Sequence, residues 1–263
     1  MVHNSAEYTN QAQLFLINLA GSKDRLAAAR KQFEAFGIAF ERIEAVYGKA
    51  LSPQQLNQYY CAKLNARQFY RPLSVGEIGC YISHLKALQQ IVARQLPYAF
   101  IFEDDFQLQP QFRDCLSLPR TIPFKWDVIK LAPYGKKSYH SDFAIPLPSG
   151  EQLVSQRKVS TGACAHLISL DGAKKILAAA VPFGRPFDTD LQYFWEKDLD
   201  IFMLEPHPVL QGTNFASTIA AQSDPKSKSG RFFKKQWLQI RKFIYNRHYQ
   251  AQNRVKYQAY LHQ

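Results

Sequence analysis

Tyr98-Ala99-Phe100-Ile101-Phe102 is apolar at every position, and Glu103-Asp104-Asp105 follows at once. A strand with no polar position has no side to give to water, so layers must cover both of its faces. The abrupt change to three carboxylates marks the strand's C-terminal end. In open α/β sheets that is the edge at which ligands bind.

The start of the chain agrees with such a sheet. Leu14-Phe15-Leu16-Ile17 reads as a buried first strand, broken by Asn18, Gly21 and Ser22. Ser22 is placed to cap a helix in which Leu26, Ala29, Phe33 and Phe36 recur at helical spacing, and Gly37 stops it. Residues 38–46 alternate as a second strand, so the opening is β-α-β, the grammar of a nucleotide-binding domain. Leu51-Ser52-Pro53 starts a polar helical segment. Ser74-Val75-Gly76-Glu77 fits a capping box, and the apolar stripe from Ile78 to Val92 predicts a helix over 75–93. Further strands are expected at 126–131, 163–168 and 201–204, with a polar loop over 136–150. Asp171 is expected to cap an Ala-rich helix, and a Pro/Gly loop over 184–190 leads into an aromatic one.

With 263 residues and 46% hydrophobic content the chain can bury a large core, which excludes global disorder. Cys61, Cys80, Cys115 and Cys164 lack CxxC spacing and suit free thiols of a reducing cytoplasm. The N-terminus lacks the order of a secretory signal, and no apolar run reaches the length of a membrane span. A net charge of +12 implies anionic partners. Much of it lies beyond Lys226, where Lys and Arg interleave with Phe232, Phe233, Trp237, Ile240, Phe243, Ile244 and Tyr245 and no acid occurs. The helical spacing of Trp237, Ile240, Phe243 and Ile244 favours an amphipathic helix suited to an anionic membrane surface. No nucleic-acid motif accompanies the charge, so no nucleic-acid partner is expected.

Three constellations can carry chemistry. A carboxylate cluster at a strand end is either a site for a hard cation, Mg²⁺ or Mn²⁺ rather than zinc, or a solvated acidic loop. Strand alternation puts Glu103 and Asp105 on one face and Asp104 elsewhere. Glu77, Cys80 and His84 lie within reach on one helix face, but the capping box accounts for Glu77 and the core for Cys80, which leaves an incomplete metal site. Asp188 and Asp190 are either general bases or a turn and a helix cap.

In order along the chain, these segments resemble glycosyltransferase family 25. The likeness runs through Phe15-Leu16-Ile17-Asn18-Leu19 with Asp24-Arg25, then Gly37-Ile38, Phe40-Glu41 and Ala45-Val46-Tyr47-Gly48. It continues through Ser74-Val75-Gly76-Glu77-Ile78-Gly79-Cys80-Tyr81-Ile82-Ser83-His84, its most specific piece, to Ile101-Phe102-Glu103-Asp104-Asp105. Trp126-Asp127, Thr161-Gly162-Ala163, Gly172-Ala173 and Pro186-Phe187-Asp188 complete the series. The resemblance implies a GT-A-like, Rossmann-type α/β domain, placed over 1–222; the charge and spacing beyond it add a basic, mainly helical extension over 223–263. It also implies inverting transfer from a UDP-sugar, most simply UDP-galactose with Mn²⁺ or Mg²⁺, to a lipooligosaccharide acceptor, with a β-1,4 type of galactosyl transfer. Asp105 and then Glu103 are the expected metal ligands, and Asp188 or Asp190 the base. Asn18, Leu19, Arg25, Ser83, His84 and Asp104 are placed on the donor side. The expected location is cytoplasmic, peripheral on the inner membrane. A metal-dependent phosphatase or nucleotidyltransferase, or a basic nucleic-acid-binding protein, is the alternative.

Overall fold

The structure, a computed structural model, describes residues 12–133, 140–212 and 229–261. The opening β-α-β unit is β1 (Leu14–Asn18), α1 (Lys23–Ala35) and β2 (Glu41–Glu44). Helices α2 (Pro53–Tyr59), α3 (Ala62–Gln68) and α4 (Val75–Ala93) lead to β3 (Tyr98–Glu103), β4 (Phe106–Leu108), α5 (Phe112–Cys115) and β5 (Val128–Lys130). Strands β6 (Ser141–Pro146), β7 (Gln152–Gln156) and β8 (Ala165–Ser169) follow, then α6 (Leu170–Ala180), α7 (Phe187–Leu191), β9 (Ile201–Glu205), β10 (Val209–Gln211) and α8 (Ser229–Lys256).

Among the described residues eight strands form one sheet in the order β2-β1-β3-β8-β5-β9-β7-β6, while β10 and β4 pair separately. β1 lies parallel to both β2 and β3. β8 runs antiparallel between β3 and β5, so the sheet is mixed. Both faces of β3 are covered, as its composition demands. Ala99 and Ile101 pack with Tyr81, Leu85 and Leu88 of α4, whereas Phe100 and Phe102 pack with Phe33 of α1 and Phe112 of α5. Helices flanking both faces of a mixed sheet make this an α/β fold.

α4 spans the expected residues and carries the expected capping box: Ser74 Oγ accepts from the Glu77 amide, and Glu77 accepts from the Ser74 amide. Local expectations fail elsewhere for local reasons. Ser22 stands at the N-cap of α1 without a side-chain cap bond. Ser169, not Asp171, caps α6 through its bond from the Gly172 amide. The loop expected over 136–150 contains β6, which pairs with β7 across a hairpin; residues 136–139 lie outside the described residues. The boundary drawn at 222/223 and the cations Lys226 and Lys228 lie outside them too.

Candidate active site

β1, β2 and β3 are parallel, so their carboxyl ends open on one edge of the sheet. There the chain leaves a cleft of about 380 Å³. Its walls come from Asn18 and Leu19 after β1, Arg25 on α1, Tyr47 and Lys49 after β2, and Cys80 and Ser83 on α4. The Glu103-Asp104-Asp105 turn, Gly162, Asp188 and Gln211 close it. Two glycines bring the loop after β2 onto α4. A Cβ on Gly48 would lie 1.7 Å from the Val75 carbonyl oxygen, and one on Gly79 2.5 Å from that of Val46. Only bare backbone fits at such approaches. Ser83 fastens the same loop, its Oγ accepting from the Val46 amide at 2.8 Å and donating to the Gly79 carbonyl at 2.6 Å.

The three consecutive carboxylates have three environments. β3 ends at Glu103 and a turn begins, so strand alternation does not extend to Asp104 and Asp105, and all three line the cleft. Glu103 Oε1 meets His84 Nε2 at 3.0 Å and Cys80 Sγ at 3.4 Å. Burial pushes the Glu103 carboxyl up, but the bonds from His84 and Cys80 and the Lys130 charge outweigh it and leave it below its ordinary value. Asp104 is tied on both oxygens, accepting from Asn18 Nδ2 at 2.7 Å and Arg25 Nη1 at 2.9 Å. Asp105 accepts from Gln211 Nε2 at 2.9 Å through Oδ2, while its Oδ1 is buried without a hydrogen-bond partner of normal geometry, the weakly donating Cys164 thiol being the group beside the carboxyl. Burial, followed by the Glu103 charge, raises its carboxyl above the ordinary value.

Asp188 faces the same cleft from the first turn of α7, so it is neither a loop residue nor the cap, which is Pro186. Its Oδ2 accepts from the Gly162 amide at 2.9 Å and its Oδ1 from the Thr189 amide at 2.6 Å. Gly162 adopts a φ of +85°, the left-handed conformation that glycine tolerates, and its carbonyl accepts from Lys130 Nζ at 2.6 Å. Lys130 is 1% exposed and also lies 3.2 Å from His166 Nε2. Burial lowers its ammonium to about 8 against the opposing pull of the Asp188 and Glu103 charges.

Of the residues expected on the donor side, Asn18, Leu19, Arg25, Ser83 and Asp104 line the cleft. His84 does not. Its fully buried ring stacks on Phe187 at 4.1 Å and its Nε2 holds Glu103 from behind. Asp190, the alternative base, is likewise absent from the cleft wall. It is 8% exposed and accepts from Tyr81 Oη at 2.6 Å, Lys197 Nζ at 2.9 Å and Arg185 Nη1 at 3.2 Å. With these partners its carboxylate joins α4 to α7. Glu77 is also removed from metal chemistry, because Arg71 pairs with it at 2.6 Å. Cys80 and His84 instead meet Glu103, with ligand atoms all within 4.8 Å. The direct His84–Glu103 hydrogen bond accounts for that trio without an ion. Lys130 and Gln211 escaped sequence reading; a lysine between Ile129 and Leu131 in a strand covered on both faces is the signal that marks the first.

A family profile described as Glycosyltransferase family 25 (LPS biosynthesis protein) matches residues 11–191. Procollagen galactosyltransferase 2 of Mus musculus is 31% identical over 216 residues, covering 74% of this chain and 34% of that protein. Inactive glycosyltransferase 25 family member 3 of Mus musculus is 29% identical over 215 residues, covering 74% of this chain and 36% of that protein. The chain thus spans about a third of the length of these curated relatives. A crystal structure of a glycosyltransferase involved in glycosylation of the major capsid of PBCV-1 aligns over 88% of this chain and 99% of its own. Its identity is 8% and its TM-score 0.42.

Proposed function

The chain belongs to glycosyltransferase family 25, and on that premise we propose that it is an inverting, metal-dependent hexosyltransferase. In this reading a GT-A-like catalytic domain covers residues 1–222 and a basic extension covers 223–263. The observation that carries it is Asp105 Oδ1, buried without a hydrogen-bond partner of normal geometry in the cleft that Asp188 also faces. A buried carboxylate oxygen without a partner is costly, and a cation relieves that cost. Asp105, with Glu103 beside it, offers hard oxygen ligands suited to Mn²⁺ or Mg²⁺. When bound, such an ion neutralises charge on the diphosphate of departing UDP.

The chain's own residues do the remaining work. Asn18, Leu19 and Arg25 form the nucleotide side, and the Asn18–Asp104–Arg25 bonds fix that wall before any ligand enters. Asp188 takes the acceptor hydroxyl proton as that oxygen bonds to the anomeric carbon. The bond from that carbon to UDP breaks in the same displacement, its electron pair leaving with the diphosphate, which inverts the centre. The amides of Gly162 and Thr189 orient the base. The donor is UDP-galactose, supported by the galactosyltransferase named among the relatives. The acceptor is the terminal sugar of a lipooligosaccharide or lipopolysaccharide, supported by the family's description, and the product is β-1,4 linked. The enzyme works as a peripheral protein at the cytoplasmic face of the inner membrane. Among the described residues no helix is long and apolar enough to cross a membrane.

A UDP-release screen of UDP-sugars with Mn²⁺ and with EDTA, followed by an acceptor panel, tests this reading. UDP-galactose is expected to give acceptor-dependent UDP release that EDTA abolishes. Release of phosphate or pyrophosphate instead makes the chain a phosphatase or nucleotidyltransferase, and no release from any sugar makes it a non-catalytic family member.

A further inference from the structure

α8 docks through a largely polar seam. Leu238, Lys242, Asn246 and Gln250 recur every fourth residue along its buried seam, and three of the four are polar. Lys242 Nζ donates to Gln192 Oε1 at 2.5 Å, Asn246 Nδ2 to the Arg157 carbonyl at 3.4 Å, and Gln250 Nε2 to the Gln156 carbonyl. Phe233, Trp237, Ile240 and Ile244, spaced by four, three and four, form the opposite stripe. They are 75%, 66%, 53% and 60% exposed, with Phe243 on the shoulder at 63%. A helix of a soluble domain ordinarily turns its apolar stripe to the core. Here hydrogen bonds, buried Leu238 and the stacking of Tyr245 and Tyr249 on Trp195 hold the helix on the body, and the stripe from Phe233 to Ile244 is left for something outside it. A contiguous exposed stripe of this kind marks an interaction surface.

We propose that this outward face of α8 is the protein's docking surface for an anionic lipid bilayer. Charge selects the occupant. No acid occurs from Lys226 to Gln263, and Arg241 and Arg247 stand exposed beside the stripe. Trp, Phe and Ile seat in the headgroup and upper acyl region while Lys and Arg meet anionic headgroups. A nucleic acid matches the charge but offers nothing to Ile240 and Ile244; an acidic protein groove is the competing outcome of the test. The inference rests on the peripheral-membrane reading above for its purpose, and it assigns that reading a specific face.

The test is co-sedimentation of the full chain with vesicles of phosphatidylcholine alone and of equimolar phosphatidylcholine and phosphatidylglycerol, at low and high salt. Wild type is expected to sediment with the mixed vesicles and to be released by salt. Ile240→Glu with Ile244→Glu removes binding, while Arg241→Gln with Arg247→Gln weakens it by about fivefold per charge at low salt. Circular dichroism checks that each variant keeps its helix content. UDP release on a water-soluble acceptor stays at wild-type level in both pairs, because neither touches the cleft. Equal binding to both vesicle types at low salt, or wild-type binding by the Glu pair, overturns the proposal. So does failure of wild type to sediment with either vesicle, including the case in which it is a dimer that the Glu pair splits. If vesicle binding behaves as expected while no UDP-sugar is turned over, the surface stands and the transferase reading falls.

Discussion

Among the described residues Asp188 is held by two backbone amides and pairs with no cation, whereas Asp190, two residues on, is surrounded by Arg185, Lys197 and Tyr81. One carboxylate is positioned at a cleft and the other is locked into packing. Asp188→Asn keeps the amide's oxygen as an acceptor but cannot take a proton. It is expected to lower single-turnover transfer by about 10²- to 10⁴-fold, with the melting temperature little changed. Transfer near the wild-type rate removes Asp188 as the base. Asp190→Asn is expected to act the other way round: it weakens a buried ion-pair cluster, so the melting temperature falls first. Sequence spacing could not separate the two, since their difference lies in Tyr81 and Lys197, which are distant in the chain or across a turn. The acidic triplet itself was legible. The division of its members was not, because β3 ends at Glu103 and the alternation rule ends with it.

Elements whose signals are local were readable from the chain alone. α4 needed only its capping box and stripe, and both are present at the expected residues. β6, β7 and the β4–β10 pair were missed because short strands are decided by partners far along the chain. The amphipathic spacing in α8 was legible, but not which face turns inward; that depends on the polar groups of Gln156, Arg157 and Gln192 that receive the helix. Lys242 on that inner face gives a pH test. Burial lowers its ammonium to about 7. Between that value and the ordinary one of 10.5 the unfolded chain holds a proton that the folded chain has lost, so stability rises with pH through this window. Lys242→Met removes that proton. Melting followed from pH 7 to 10 is expected to show wild type improving relative to the variant, by at most about 1.4 kcal/mol per pH unit. Parallel curves show that the lysine is solvated in the folded protein.

Across the whole molecule the β-α-β opening was readable, but the place of β8, antiparallel between β3 and β5, was not. That strand order matters because the cleft draws on both halves of the sheet. Asn18, Arg25 and the acidic turn come from the β2-β1-β3 side, while Gly162, Asp188 and Gln211 come from segments that flank β8 and follow β9. A ligand filling it therefore ties distant segments together and is expected to stabilise the fold as one unit. At a UDP concentration 100 times its dissociation constant, linkage supplies about 2.7 kcal/mol. For a domain of this size that is a rise of about 5–10 °C in melting temperature. With Mn²⁺ present the full rise is expected; with EDTA only the part due to direct nucleotide contacts remains. Asp105→Asn should lose the Mn²⁺-dependent part and keep the rest. Without ligand it should melt no lower than wild type, because burial and the Glu103 charge already disfavour the ionised Asp105 carboxylate. A Mn²⁺-dependent shift in Asp105→Asn as large as in wild type places the ion elsewhere, and the Cys80–His84–Glu103 trio is then the site to mutate.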